Sequence, residues 1–191
     1  MAEPLEDAVE SADKKVALII AILALFLALA EAGAKNAEHR STEQNIESSD
    51  LFNFYQAKKL RSTIAETAAQ AFEVERTAAS DPKAQEAFEK QIAAWKETVA
   101  RFEKDPKKPE DSLDAIQERA VAAGEGRERS NRKLEHFEYA SGALQIAIVL
   151  ASAAIITGMS ILAWFAVGLG AIGAVLMAFG YLAPTVLSFL G

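Results

Sequence analysis

The chain has 191 residues, 51% of them hydrophobic, with a net charge of −7 and no cysteine. The absence of cysteine excludes disulfides, thiolate metal sites and a cysteine nucleophile. Its 27 acidic and 20 basic side chains are spread along the chain without a basic patch, which excludes the electrostatic footprint of a nucleic-acid binder.

Residues 1–13 form an acidic tail without apolar periodicity, expected to carry little structure of its own. Lys14 and Lys15 end it, and Val16 to Ala30 is wholly apolar. Residues 14–34 read as a first transmembrane helix, with the lysines snorkelling at one end. The lysines, apolar run and Ala28-Leu29-Ala30 also fit a secretory signal peptide; the long acidic lead, where a signal has a basic one, favours an uncleaved anchor.

Residues 35–140 alternate charge with alanine and scattered large hydrophobes, and read as a charged helical stalk with helices over about 35–79, 82–104 and 113–140. The first has no proline and continues from the membrane span. Its apolar stripe reads as Phe54, Ala57, Ile64, Ala68, Ala71 and Ala78, with Leu51, Tyr55, Ala65 and Phe72 alongside. Asp81-Pro82 is an N-cap followed by proline at the first helical position. The helix it starts carries Phe88, Ile92, Trp95, Val99 and Phe102 at four-three spacing. Pro106 and Pro109 bracket the next turn, and Ser112 is the N-cap of the third helix. From Leu113 its seam passes through Ile116, Ala120, Ala123, Arg127, Ser130, Leu134, Phe137 and Ser141 to Leu144, so this helix is expected to enter the bilayer directly. Gly124 and Gly126 mark the stretch where bending costs least. Short turns between amphipathic helices imply antiparallel neighbours.

Ser141 to Gly191 has no Asp, Glu, Lys, Arg or His and is more than twice the ~20 residues one span needs. It reads as a hairpin: transmembrane helices over 141–158 and 161–180, turning at Thr157-Gly158-Met159-Ser160, with 181–191 as an interfacial end. The expected fold is all-α, with three transmembrane helices and a long water-facing antiparallel, coiled-coil-like stalk.

The segment Ser49 to Arg61 (SDLFNFYQAKKLR) carries Asp50, Phe52, Phe54, Tyr55, Gln56, Ala57 and Lys58 in a pattern that resembles the signature of Domain of Unknown Function 4337, an uncharacterised bacterial membrane-protein family. The resemblance covers the whole plan: an N-terminal span, a charged helical middle and a C-terminal hairpin. It implies a bacterial membrane protein and supplies no activity. Phe52 stands where tryptophan is common in the family. Read physically, Phe52, Phe54 and Tyr55 cover a broad arc of one helix, which suits either a wide intramolecular contact or a subunit interface. Asp50, Phe52, Phe54, Tyr55, Gln56 and Lys58 are the candidate interaction surface.

Other motifs carry less. Gly168-Leu169-Gly170-Ala171-Ile172-Gly173 matches a dinucleotide fingerprint in letters alone, since it lies in an apolar helix with no preceding strand. Its use is a small-residue strip, Ala166, Gly170, Ala174 and Ala178, on which another helix packs closely, either Ala147, Ala151 and Ala154 of the same chain or another copy. His39 and His136 lack the Glu-x-x-His spacing of a di-iron bundle, so no metal or cofactor is expected. No nucleophile–base pair is evident, and no enzymatic activity is expected.

The basic residues flanking 35–140 outnumber Lys14 and Lys15, but the segment is too long for that count to set orientation. The signal-like first span favours a periplasmic stalk. The expected function is a homo-oligomeric scaffold of the bacterial inner membrane, with membrane lipid and a second copy of the chain as partners. An accessory subunit bound to another membrane protein of a transport or envelope complex is the alternative. An oligomeric pore near Glu31 is a third.

Overall fold

The computed structural model describes the backbone of residues 3–182 and the side chains of residues 14–182. Among the described residues there are four α-helices, one 3-10 turn and no strand: α1 Glu3–Ala78, α2 Pro82–Glu103, the 3-10 turn Pro109–Asp111, α3 Leu113–Thr157 and α4 Ser160–Leu182. The chain is thus all-helical, as its composition and periodicity imply. The expected interfacial segment beyond Leu182 lies outside the described residues.

The acidic lead differs from expectation, because α1 begins at Glu3. Pro4 sits in the first turn, where a missing amide hydrogen costs nothing. No glycine interrupts the run before Gly33. Helix propagation through this segment overrides its polarity. Between the last two helices α3 stops at Thr157, Gly158 takes the left-handed conformation at φ +67°, and α4 starts at Ser160.

The chain divides into two compact units. The first comprises Met1–Thr42 and Arg127–Gly191, so it holds the apolar parts of α1 and α3 together with α4. Its core joins Leu23 and Ala30 of α1 to Ala140, Leu144 and Ala147 of α3, with Leu169, Leu176 and Met177 of α4 packed against them. Small residues set the helix spacing. A Cβ added at Gly173 would lie 2.8 Å from Leu144 Cγ, and one at Gly33 would lie 2.7 Å from Phe137 Cε1. Neither position accepts a side chain without displacing its neighbour.

The second unit, Glu43–Gly126, packs α2 and the start of α3 against the remainder of α1. Asp81 caps α2 by accepting from the Lys83 amide at 3.0 Å, with Pro82 next to it, as the sequence indicates. Phe72 of α1 meets Phe88 of α2 with ring centroids 5.6 Å apart, while Lys96 pairs with Glu73 and Arg76 with Glu89. These contacts make α1 and α2 antiparallel. Ser112 caps α3 by accepting from the Ala115 amide, and Ile116 and Ala120 pack on Leu51 and Tyr55 of α1.

Candidate interaction surfaces

The buried positions of α1 in the second unit run through Gln44, Ser48, Leu51, Tyr55, Lys58, Ser62, Ala65, Ala69, Phe72 and Arg76, all at least half covered, at alternating four and three spacing. This is one column away from the stripe read from hydropathy. Phe54, Ala57, Ile64, Ala71 and Ala78 are exposed, and the residues expected alongside, Leu51, Tyr55, Ala65 and Phe72, make the contact. The physical reason lies in the residues of the true seam. Ser48 donates to the Ala120 carbonyl, Ser62 is 2% exposed, and Lys58 donates to the Asp111 carbonyl with its ammonium 5.9 Å from the Phe54 ring and 5.8 Å from the Phe102 ring. Small and snorkelling polar residues line the helix contact, so hydropathy underrates it.

The candidate surface around Tyr55 therefore divides. Tyr55 and Lys58 face inward, Lys58 tying α1 to the 3-10 turn. Asp50, Phe52, Phe54 and Gln56 remain exposed, and Asp50 and Phe54 line a shallow cleft with Ile46 and Arg119. On α2 the expected stripe is the packed one: Ile92 is buried and Phe88, Trp95, Val99 and Phe102 are half-buried. On α3 the seam holds with one exception. Arg127 is exposed and Gly126 takes its place, because a Cβ there would collide with the Gln44 amide group. Gly126 thus admits a polar side chain into a continuous helix instead of bending it.

A second row of α1 has the same spacing and no cover. Ile46, Asp50, Asn53, Ala57, Leu60, Ile64, Thr67, Ala71, Val74 and Ala78 are all exposed, with Leu60 62%, Ile64 57% and Val74 69% accessible. Each stands two residues beyond a buried position, about 200° around the helix. The helix is therefore heptad-patterned on two opposite faces, and only one is occupied.

In the first unit the small-residue strip of α4 is used within the chain. Ala166 and Gly170 are buried, Gly170 against Leu23 and Ala147. Ala174 is half-buried and Ala178 exposed, while Gly173 and Gly180 are buried in their stead. A strict four-residue step drifts around a helix of 3.6 residues per turn, and alternating four and three keeps to one face.

One arrangement escaped the sequence reading. Asn36 and Arg40 of α1, Ser130, Lys133 and Phe137 of α3, and Tyr181 of α4 line a cleft of about 350 Å³ within the first unit. The Phe137 ring, beside Gly33 and Gly180, meets Tyr181 edge-on at 4.8 Å and floors it. Arg40 and Lys133 counted only as flanking charges in the sequence, because their approach depends on α1 and α3 being antiparallel. His136 next to it is 1% exposed, whereas His39 is exposed. Among the described residues no group of three or more His, Asp or Glu side chains is placed to hold a metal ion. Two surface carboxyls are lowered from their ordinary values: Glu73 by the hydrogen bond and charge of Lys96, and Asp105 by the Lys107 amide.

Among the described residues three helices are long and apolar enough to cross a membrane, and no more than 28% of any of their apolar windows is buried. Leu18, Ile22, Leu25 and Leu29 of α1, Ile146 and Val149 of α3, and Trp164, Phe165, Ile172 and Val175 of α4 all face outward. Large apolar side chains turned outward around a core rich in small residues are the reverse of the surface of a water-soluble bundle. The fold and surface define an all-helical protein compatible with multi-pass membrane insertion. More particularly, the chain belongs to the family described as Domain of unknown function (DUF4337), whose family model matches residues 12–183. It matches no curated protein and no solved structure.

Proposed function

We propose that this chain is a non-enzymatic, multi-pass protein of the bacterial inner membrane that assembles with copies of itself into a structural scaffold. The observation that carries the reading is the uncovered heptad row of α1 from Ile46 to Ala78. A three-four apolar row on a helix already packed on its other face is the pattern of a helix that pairs twice. Copies inserted in one membrane with one topology are related by rotation about the membrane normal, so equivalent residues meet at the axis. Asp50, Asn53 and Thr67, polar positions within the row, would fix the register of the pairing. The aromatic pair Phe52 and Phe54 borders it. Gly170 and Tyr55 have intramolecular work in this reading, and the contact between copies shifts to Leu60 and Ile64. The second unit is placed in the periplasm.

The chain has no native cysteine, so Ile64→Cys is a single reporter. Mild oxidation in membranes is expected to give a disulfide-linked dimer with Ile64→Cys and none with Gln70→Cys, an exposed position off the row. Monomer alone from both would refute self-pairing through this face. A mixed disulfide with a different polypeptide would make the chain an accessory subunit instead. Labelling of Ile64→Cys by an impermeant thiol reagent in intact spheroplasts, after reduction, is the result expected of a periplasmic face; protection would place it in the cytoplasm.

A further inference from the structure

We infer that the cleft between Arg40 and Lys133 binds the phosphate of an anionic phospholipid headgroup; the inference rests on the reading that the first unit lies in a bilayer. The lining residues Asn36, Arg40, Ser130 and Lys133 include two cations and no carboxylate is among them. Neither Arg40 nor Lys133 forms an ion pair with a described residue. Two cations held on antiparallel helices without a counter-charge leave the cleft positive, and its complement is an anion.

Depth selects which anion. Arg40 lies seven residues beyond Gly33 on α1, roughly 10 Å of helix rise, and Lys133 lies four before Phe137 on α3, roughly 6 Å. Gly33 and Gly180 pack on Phe137 near the ends of the three apolar segments. Both cations therefore stand one to two turns past the hydrocarbon edge, within the headgroup layer. A guanidinium offers a planar fork to phosphate oxygens, and an ammonium adds a point charge. Below them the Phe137–Tyr181 pair gives an apolar wall for the glycerol and first acyl carbons, with Tyr181 at the depth where tyrosine anchors to an interface. A volume of about 350 Å³ fits one headgroup. A zwitterionic choline headgroup would bring its own cation into a site that has no carboxylate to receive it.

The test uses the full chain in mild detergent, offered an equal mixture of phosphatidylglycerol and phosphatidylcholine and read by native mass spectrometry. One retained phosphatidylglycerol per chain is expected, favoured over phosphatidylcholine by about tenfold, because both lipids offer the same phosphate and only phosphatidylcholine brings a cation beside Arg40 and Lys133. Arg40→Gln and Lys133→Gln should each weaken that preference and the double variant should abolish it, with helix content unchanged because Arg40 is exposed and Lys133 half-exposed. Arg101→Gln with Lys104→Gln, an equal loss of charge from exposed sites in the second unit, should leave it intact. Retention of the preference by the cleft double variant, or its equal loss in the control, would overturn the assignment. Displacement of the lipid by inorganic phosphate alone would make this a free-anion site and overturn the lipid. A chain that fails to float with phosphatidylcholine vesicles would refute the bilayer reading itself, and the assignment with it.

Discussion

Ile116 and Phe54 separate the two faces of α1 most sharply. Ile116 is fully buried against Leu51, while Phe54 is 47% exposed beside the Lys58 ammonium. Ile116→Ala is expected to cost about 2–5 kcal/mol, through lost transfer energy and the cavity left behind. Phe54→Ala should stay within about 0.5 kcal/mol in the isolated protomer, where its ring packs on little. Thermal unfolding of the purified chain at low concentration checks both, and equal losses would mean that the seam has been placed on the wrong face. Single residues were the least legible part of the sequence. Hydropathy selected Phe54 and Ile64 over the column that contains Ser48, Lys58 and Ser62, because it scores a helix contact by apolarity. The packing there depends on small volume and on Lys58 reaching a backbone carbonyl. Arg40 and Lys133, 93 residues apart in sequence, carried no local signal of their meeting.

Helices were read more faithfully than their faces. Asp81-Pro82 and Ser112 start α2 and α3 because capping is local chemistry, and Gly158 ends α3 because only glycine takes its φ without strain. The α2 stripe was legible because each of its positions is a large hydrophobe. The acidic lead was misread, since polarity indicates exposure and says little about whether a helix already under way continues. On α4 the buried small residues are Ala166, Gly170, Gly173 and Gly180, so the packed face leaves the four-residue step of the sequence strip after Gly170. A pair of variants tests that register: Gly170→Leu should lower the melting temperature markedly, because Leu23 already fills the space, whereas Ala178→Leu, on an exposed face, should leave it nearly unchanged. Equal effects would show that α4 presents a different side to α1 and α3.

The whole chain combines two kinds of surface. Its first unit turns large apolar residues outward around a core of small residues with Leu23 and Leu144, and its second carries ion pairs with an apolar row left open. Neither surface suits the solvent that suits the other, a combination compatible with insertion of the first unit in a membrane. The contrast in composition was legible in the sequence, because between Lys15 and Glu31, and again after Glu138, there is no Asp, Glu, Lys or Arg. What the open row receives was not legible, since a heptad specifies a helical partner and not its identity. Self-assembly is the central claim, and native mass tests it most directly. The complex extracted from its own membrane in mild detergent should weigh an integral multiple of the 20.5 kDa chain, falling to one chain in Leu60→Glu/Ile64→Glu. A wild-type mass of one chain, or a constant second polypeptide in the complex, would contradict it.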